Sequence, residues 1–194
     1  MKNLLKTALF VIGLVASSPL ILISLLEERL FGDEEERVFF TCAELLSVVP
    51  TVLGNCMRRA FYWATCKSVS WNTQFRLGSW LAHRNNIIGP MVGIGPYTYI
   101  GYAEIGRNVI FGARVSVISG KYQHGRPSER TRYAEISEEH EIIRIGDNSW
   151  IGQDVVIMAN IGRNCTVGAG SVVMKDVEDN TTVLGNPARK VNLT

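Results

Sequence analysis

The stretch IGDNSWIGQDVVIMANIGRNCTVGAGSVV, residues 145–173, decides the fold. An apolar residue followed by glycine recurs every six positions, at Ile145-Gly146 and Ile151-Gly152, and the phase runs on to Ile157. A four-residue step then leads to Ile161-Gly162, Val167-Gly168 and Val173. Working outward, the same phase is set by Ile88-Gly89, Ile94-Gly95 and Ile100-Gly101. After one five-residue step it continues through Ile105-Gly106, Phe111-Gly112 and Val117. A second column lies four residues after the first and holds Val92, Thr98, Val109, Val115, Ser149, Val155, Cys165 and Ser171, all small or β-branched. A helical period of 3.6 cannot produce two such columns, and plain alternation explains neither the glycines nor the second column.

The pattern predicts a triangular coil. Each six-residue unit is a short strand and a corner, and three units make one turn. The large apolar residue fills the interior, the small one points inward near a corner, and glycine permits a backbone that other residues resist. Roughly five turns stack as a quasi-one-dimensional solenoid in which each coil buries the next. Cys165 sits in the small-residue column, which gives it a structural role.

Composition bounds the rest. A chain of 194 residues allows one globular domain plus an appendage. The net charge of +2, with no basic stripe, gives no footprint for nucleic acid. The four cysteines, Cys42, Cys56, Cys66 and Cys165, form no CxxC pair, and the three histidines are scattered, so no metal is expected. All four thiols are read as reduced, as suits the cytosol.

The front of the chain is apolar. Thr7–Leu26 carries no charge over twenty residues, with Lys2 and Lys6 before it and Glu27, Glu28 and Arg29 after it. A helix of that length spans about 30 Å, the thickness of a bilayer core. It is long for a signal-peptide apolar core and no A-x-A-like cleavage site follows, which predicts a retained anchor. A second apolar stretch, Val38–Cys56, contains Glu44, Pro50 and Gly54. Basic residues at both outer ends fit a helical hairpin with both termini cytoplasmic, while Glu44 and Pro50 fit a segment lying on the membrane surface. The expected organisation is membrane-associated helices over 1–66, a connecting segment over 67–86, and the β-helix over 87–194, with a closing segment at 174–194.

The regular coil breaks at 118–142, where a polar stretch carries His124 and His140. A loop this long leaving a tightly repeating scaffold is usually functional. The Ile-Gly hexads, the phrase IGDNSWIGQDVVI and the ending VGAGSVVMKDVEDNTTVLGNPARKV resemble the hexapeptide-repeat acyltransferases, in particular the galactoside and maltose O-acetyltransferases and relatives that modify polysaccharides. The resemblance covers residues 87–191 and implies a left-handed parallel β-helix, a mainly β fold preceded here by α-helices.

It implies, too, an acyl-CoA-dependent O-acyltransferase, with acetyl-CoA as donor and a sugar or lipid-linked saccharide as acceptor. His124 matches the family's catalytic histidine: neutral imidazole can take the proton from an attacking hydroxyl, with no acyl-enzyme. Glu141 or Glu135 would orient it by accepting its other ring proton, spacing alone not choosing between them, and His140 is a weaker second candidate. The matching coenzyme A positions are Gln153, Ala169, Met174, Lys175 and Arg189; Trp150 matches a residue lining the acceptor site. Where the sugar acetyltransferases carry a substrate-positioning asparagine, this chain has Gly93, Ile94 and Tyr97. The family assembles as homotrimers with sites between subunits, so a homotrimer, a membrane-lipid contact and a cytoplasmic catalytic domain are expected. The competing readings are an N-acyltransferase on an amino sugar, a non-catalytic scaffold at the membrane, and a zinc-binding carbonic-anhydrase-like β-helix, whose close H-x₄-H pair is missing.

Overall fold

The computed structural model describes residues 2–32, 36–119 and 141–191. Among the described residues three helices come first, α1 (Lys2–Phe31), α2 (Arg37–Ser47) and α3 (Thr51–Thr65), and sixteen short strands follow. The first turn of the solenoid is β1 (Ser68–Val69), β2 (Gln74–Phe75) and β3 (Trp80–Leu81); the second is β4 (Ile87–Ile88), β5 (Gly93–Ile94) and β6 (Tyr99–Ile100). The third is β7 (Ala103–Ile105), β8 (Ile110–Phe111) and β9 (Ser116–Val117), and the fourth is β10 (Ile143–Ile145), β11 (Trp150–Ile151) and β12 (Val156–Ile157). A bridge at Ile161 with β13 (Thr166–Val167) and β14 (Val172–Val173) makes the fifth. Val177 and β15 (Thr182–Leu184) begin a sixth, closed by the antiparallel β16 (Arg189–Lys190).

Three parallel sheets run along the solenoid, one per face of the triangle. Both inward columns read from the sequence are buried: Ile100, Val117, Ile151, Ile157 and Val167 have no exposed surface, nor do Thr98, Val155 and Ser171.

The glycines act through proximity. Gly89, Gly95 and Gly146 have ordinary negative-φ backbones, but a Cβ on Gly89 would stand 2.8 Å from the Gly106 carbonyl carbon of the next turn. The left-handed position lies two residues later. Asn108, Asn148, Asn164 and Asn180 hold it at φ of 53–59°, and Asp154 and Gly170 hold it elsewhere. Asparagine tolerates this conformation. The four asparagines also bond to one another along one corner, Asn108 to Asn148, Asn148 to Asn164 and Asn164 to Asn180, at 3.0–3.2 Å.

The solenoid starts one turn earlier than the repeat announces. Strands β1–β3 lie in the segment expected to connect, and pair in parallel with the second turn, Ser68 opposite Ile87, Gln74 opposite Gly93 and Trp80 opposite Tyr99. Val69, Phe75 and Leu81 fill the inward column there. Ser70, Arg76 and Ala82 stand where later turns have glycine, which removes the signature from the sequence.

The second apolar stretch is neither one continuous helix nor a hairpin arm. It breaks at Val48–Pro50 into α2 and α3, whose buried faces (Phe39, Cys42 and Leu46; Ala60, Phe61 and Tyr62) cover the first turn. The buried Arg58 guanidinium donates to the Leu46, Ser47 and Val49 carbonyls at 2.8, 3.3 and 2.8 Å, and its Nε donates to Phe75 O at 3.1 Å. It thereby satisfies the orphan carbonyls at the C-terminus of α2 and joins both helices to β2. Burial pulls its pKa below the usual arginine value. Among the described residues only α1 is long and apolar enough to cross a membrane.

Candidate active site

The described chain leaves the third turn at Ser119 and resumes at Glu141. His124, His140 and Glu135 lie between those points, outside the described residues. The return point is informative. Glu141, Ile142, Ile143 and Arg144 line a cavity of about 490 Å³ together with Met158, Ala159, Asn160, Met174, Lys175 and Asp176. A second cavity of about 340 Å³ shares Met174, Lys175 and Asp176, and adds Glu178, Thr181, Arg189 and Lys190. The two meet along one corner of the fourth to sixth turns.

Of the five positions matched to coenzyme A binding, Met174, Lys175 and Arg189 therefore come together. Met174 is 56% exposed, its thioether free to meet a ligand. Lys175 and Arg189 are exposed cations beside it, chemically suited to phosphate oxygens. Gln153 and Ala169 do not join them: they stack on one another in successive turns at a different corner, where Gly170 N donates to Gln153 O at 2.8 Å. Gln153 Nε2 also donates to Asp154 Oδ2 at 3.1 Å. Asp154 is bonded by Arg114 at 2.6 and 2.8 Å, and that guanidinium holds its carboxyl below the usual carboxylate range. Trp150 projects from β11, 45% exposed, with Ile110 and Thr166 as its neighbours across the sheet.

A set of residues that the sequence reading passed over orders the cavity floor. Arg144 N donates to Asn160 Oδ1 at 2.8 Å, and Asn160 N donates to Asp176 Oδ1 at 2.9 Å. The three stand sixteen residues apart, one turn of the solenoid at this level, so a polar column at that interval was the available signal.

A further groove of about 540 Å³ opens on the sheet formed by β2, β5 and β8. Lys6, Asn72, Gln74 and Arg76 line it with the uncovered backbone of Gly93, above apolar Met91 and Ile110. Gly93 and Ile94, the positions at which the resemblance called for an asparagine, line this groove. His83 has a structural role: it stacks on Tyr102 with centroids 3.7 Å apart, and its Nδ1 meets Glu36 Oε2 at 2.6 Å. Among the described residues no three His, Cys, Asp or Glu side chains are grouped to hold a metal ion.

Residues 142–175 match the family model for the hexapeptide repeat of succinyl-transferase. No curated protein sequence matches the chain. A maltose O-acetyltransferase from Clostridium difficile 630 superposes with a TM-score of 0.60 at 24% identity, over 80% of this chain and 84% of that one. A hexapeptide-repeat-containing acetyltransferase from Vibrio cholerae gives 0.51 at 21% identity, over 79% and 89%. A variant of the N-acyltransferase AntD from Bacillus cereus, in complex with a dTDP-amino sugar and coenzyme A, gives 0.50 at 20%, over 62% and 68%. At these identities the likeness is one of fold. The chain is a hexapeptide-repeat parallel β-helix behind an apolar N-terminal helix, and its solenoid is similar in fold to those of an O-acetyltransferase, a hexapeptide-repeat acetyltransferase and an N-acyltransferase.

Proposed function

We propose that the protein is an acyl-CoA-dependent acyltransferase, with acetyl-CoA as donor and the hydroxyl of a sugar or lipid-linked saccharide as acceptor. The observation that carries this is the corner cavity: the segment holding His124 rejoins the solenoid at Glu141, in the wall of the space that holds Met174 and Lys175. In this reading Lys175 and Arg189 take the phosphates of coenzyme A. His124 accepts the hydroxyl proton as the oxygen attacks the thioester carbonyl. A C–O bond forms, the tetrahedral intermediate collapses, the C–S bond breaks, and the thiolate leaves to collect a proton. General base catalysis of this kind supplies about 10²–10⁴ in rate.

Gln153, Ala169 and Trp150 enter the same scheme if three copies assemble around the solenoid axis, so that one chain's corner faces its neighbour's sheet. A homotrimer accounts for why the matched residues fall at two corners of a single chain. Lys6 and Arg76 in the groove beside α1 suit the phosphate of a lipid-linked acceptor, and α1 holds the enzyme at the membrane on the cytoplasmic side, where coenzyme A is available.

The test is thiol release from acetyl-CoA by purified protein, with pooled sugar, amino-sugar and glycolipid acceptors, comparing wild type with His124→Ala. Acceptor-dependent release that falls at least about a hundredfold in the variant supports the scheme. Release only with amino acceptors moves the activity to N-acylation. No turnover and no coenzyme A binding by calorimetry leaves a scaffold.

A further inference from the structure

Helix α1 has two unlike sides. Gly13, Ser17, Ile21, Ser24 and Glu27, spaced three or four apart, form the buried side. The rest of its surface exposes ten large apolar residues from Leu4 to Leu30; Leu4, Leu5, Val15, Leu22 and Leu30 are each more than 60% exposed. No charged residue interrupts the exposed side between Thr7 and Leu26. An uncovered patch of this extent marks a contact surface.

The buried side is fixed along its length. A Cβ at Gly13 would overlap the Cys56 carbonyl, so α1 and α3 are in backbone contact there. Phe10 meets Trp63 and Trp71 edge-on at 5.4 and 6.1 Å, with the Arg59 guanidinium 5.3 Å from its ring centre. Near the other end, Arg84 of the first turn donates to Ser24 Oγ at 3.0 Å, Ser24 O at 2.8 Å and Glu27 Oε2 at 2.6 Å, all buried.

These facts conflict with a crossing. To span a bilayer alone, α1 would have to leave α3, breaking the backbone contact at Gly13, putting Ser17 and Ser24 into lipid and taking Glu27 away from the buried Arg84. To span while packed, it would carry Arg58, Arg59, Arg84 and the polar first turn into hydrocarbon. The first course leaves a buried charge without its partner, and the second places charge in a medium that strongly disfavours it.

We infer that α1 does not cross the membrane but lies along its surface, with the outward side sunk into one leaflet and the packed side holding the first turn against the headgroups. This deepens the membrane reading above and rests on it. The occupant is lipid because the outward side is aliphatic and offers no side-chain donor or acceptor between Thr7 and Leu26 apart from Ser18, whose hydroxyl is tied to Val15 O. Charge agrees at the N-terminal end, where exposed Lys6 and Arg76 suit anionic headgroups. Trp63 and Trp71, 46% and 42% exposed beside Phe10, are the aromatics favoured at that depth.

The experiment uses the full chain and vesicles of phosphatidylcholine with or without phosphatidylglycerol. Wild type should float with the vesicles, more so with the anionic lipid. A double variant, Ile12→Glu with Leu22→Glu, should lose at least about a hundredfold in partitioning while keeping its circular dichroism spectrum and melting profile. For topology, Lys6→Cys and Arg29→Cys stand roughly 34 Å apart along the helix. If α1 lies on the surface, protein added from outside to sealed vesicles should react at both sites with an impermeant maleimide. Reaction at one site until detergent is added would overturn the surface position while keeping the membrane contact. No flotation, with an oligomer that the double glutamate variant dissolves, would overturn both and leave a second copy covering the face.

Discussion

The attachment of α1 to the solenoid can be broken at one residue, Arg84→Met. The side chain is 5% exposed and its partner Glu27 is 4% exposed. Glu27 also accepts from the backbone N–H groups of Val38 and Phe39, at 2.6 and 3.0 Å, so one carboxylate serves both the ion pair and the N-terminus of α2. Methionine replaces the guanidinium stem with similar volume but removes its three donated bonds and its position 4.8 Å above the Phe39 ring. Stranding a buried charge in this way costs about 3–5 kcal/mol.

Removing both charges is different. Arg84→Met with Glu27→Gln keeps an acceptor oxygen for one of the two N–H groups. It also discards a guanidinium whose Nε has no acceptor among the described residues. The pair should then cost only about 1–2 kcal/mol, and Glu27→Gln alone about 2–3 kcal/mol. The four proteins form a double-mutant cycle, read by urea unfolding followed through tryptophan fluorescence. Strong coupling, with the double variant less destabilised than Arg84→Met, supports a buried latch. Additive effects, or a loss below about 1 kcal/mol for Arg84→Met, would mean that packing alone holds α1.

Four more outcomes follow from the solenoid and its corner cavity. Gly95→Ala places a methyl onto the Gly112 carbonyl and should cost more than about 2 kcal/mol in thermal unfolding, whereas Gly93→Ala meets open space and should be nearly neutral. Ile151→Ala, fully buried, should lose about 2–5 kcal/mol in the same assay; Ile110→Ala on the outer side of the same sheet, 50% exposed, should lose under about 1 kcal/mol. Lys175→Ala with Arg189→Ala should raise KM for acetyl-CoA about tenfold or more with kcat little changed, and an unchanged KM would remove these cations from the donor site. If the site is shared between copies, refolding His124→Ala together with Trp150→Ala should restore part of the activity that each lacks alone.

The solenoid was legible where sequence constraint is local and repeated. Inward residues must be apolar or small at every turn, and a glycine must follow wherever the next turn comes within Cβ distance, so the columns at Ile88–Val173 declare themselves. The first turn escaped because Ser70, Arg76 and Ala82 hold its glycine positions, although the second turn stacks on it as later turns stack on one another. Helices α2 and α3 cover its other side, where Phe75 meets Tyr62 at 4.7 Å and Trp80 meets Phe40 at 4.8 Å. The asparagine ladder was visible as Asn148, Asn164 and Asn180 at sixteen-residue intervals, yet its meaning needs the turn length, which varies from coil to coil. The latch was beyond reach: Ser24, Glu27 and Arg84 are separated by up to sixty residues, and nothing local says that charges bounding an apolar run are buried. The same limit applies to the site, where Met174 and Lys175 stood together in one phrase but their separation from Gln153 and Ala169 depends on which corner each turn presents.

The order of features along the solenoid bears on how donor and acceptor meet. Turns in such a stack are about 4.8 Å apart, so the fifth stands roughly 19 Å from the first. The helices cover the first turn, and the groove with Lys6 and Arg76 occupies turns one to three. The cavity with Met174, Lys175 and Arg189 occupies turns four to six, on a different corner. If α1 rests in a leaflet, an acceptor held by its lipid arrives at the near end, and water-soluble coenzyme A reaches the far end without competing for the membrane face. The insertion carrying His124 falls between the third and fourth turns, at the boundary between the two regions. In the proposed scheme, a base needed by both reactants is therefore carried at the break between the two regions and not at either end of the solenoid.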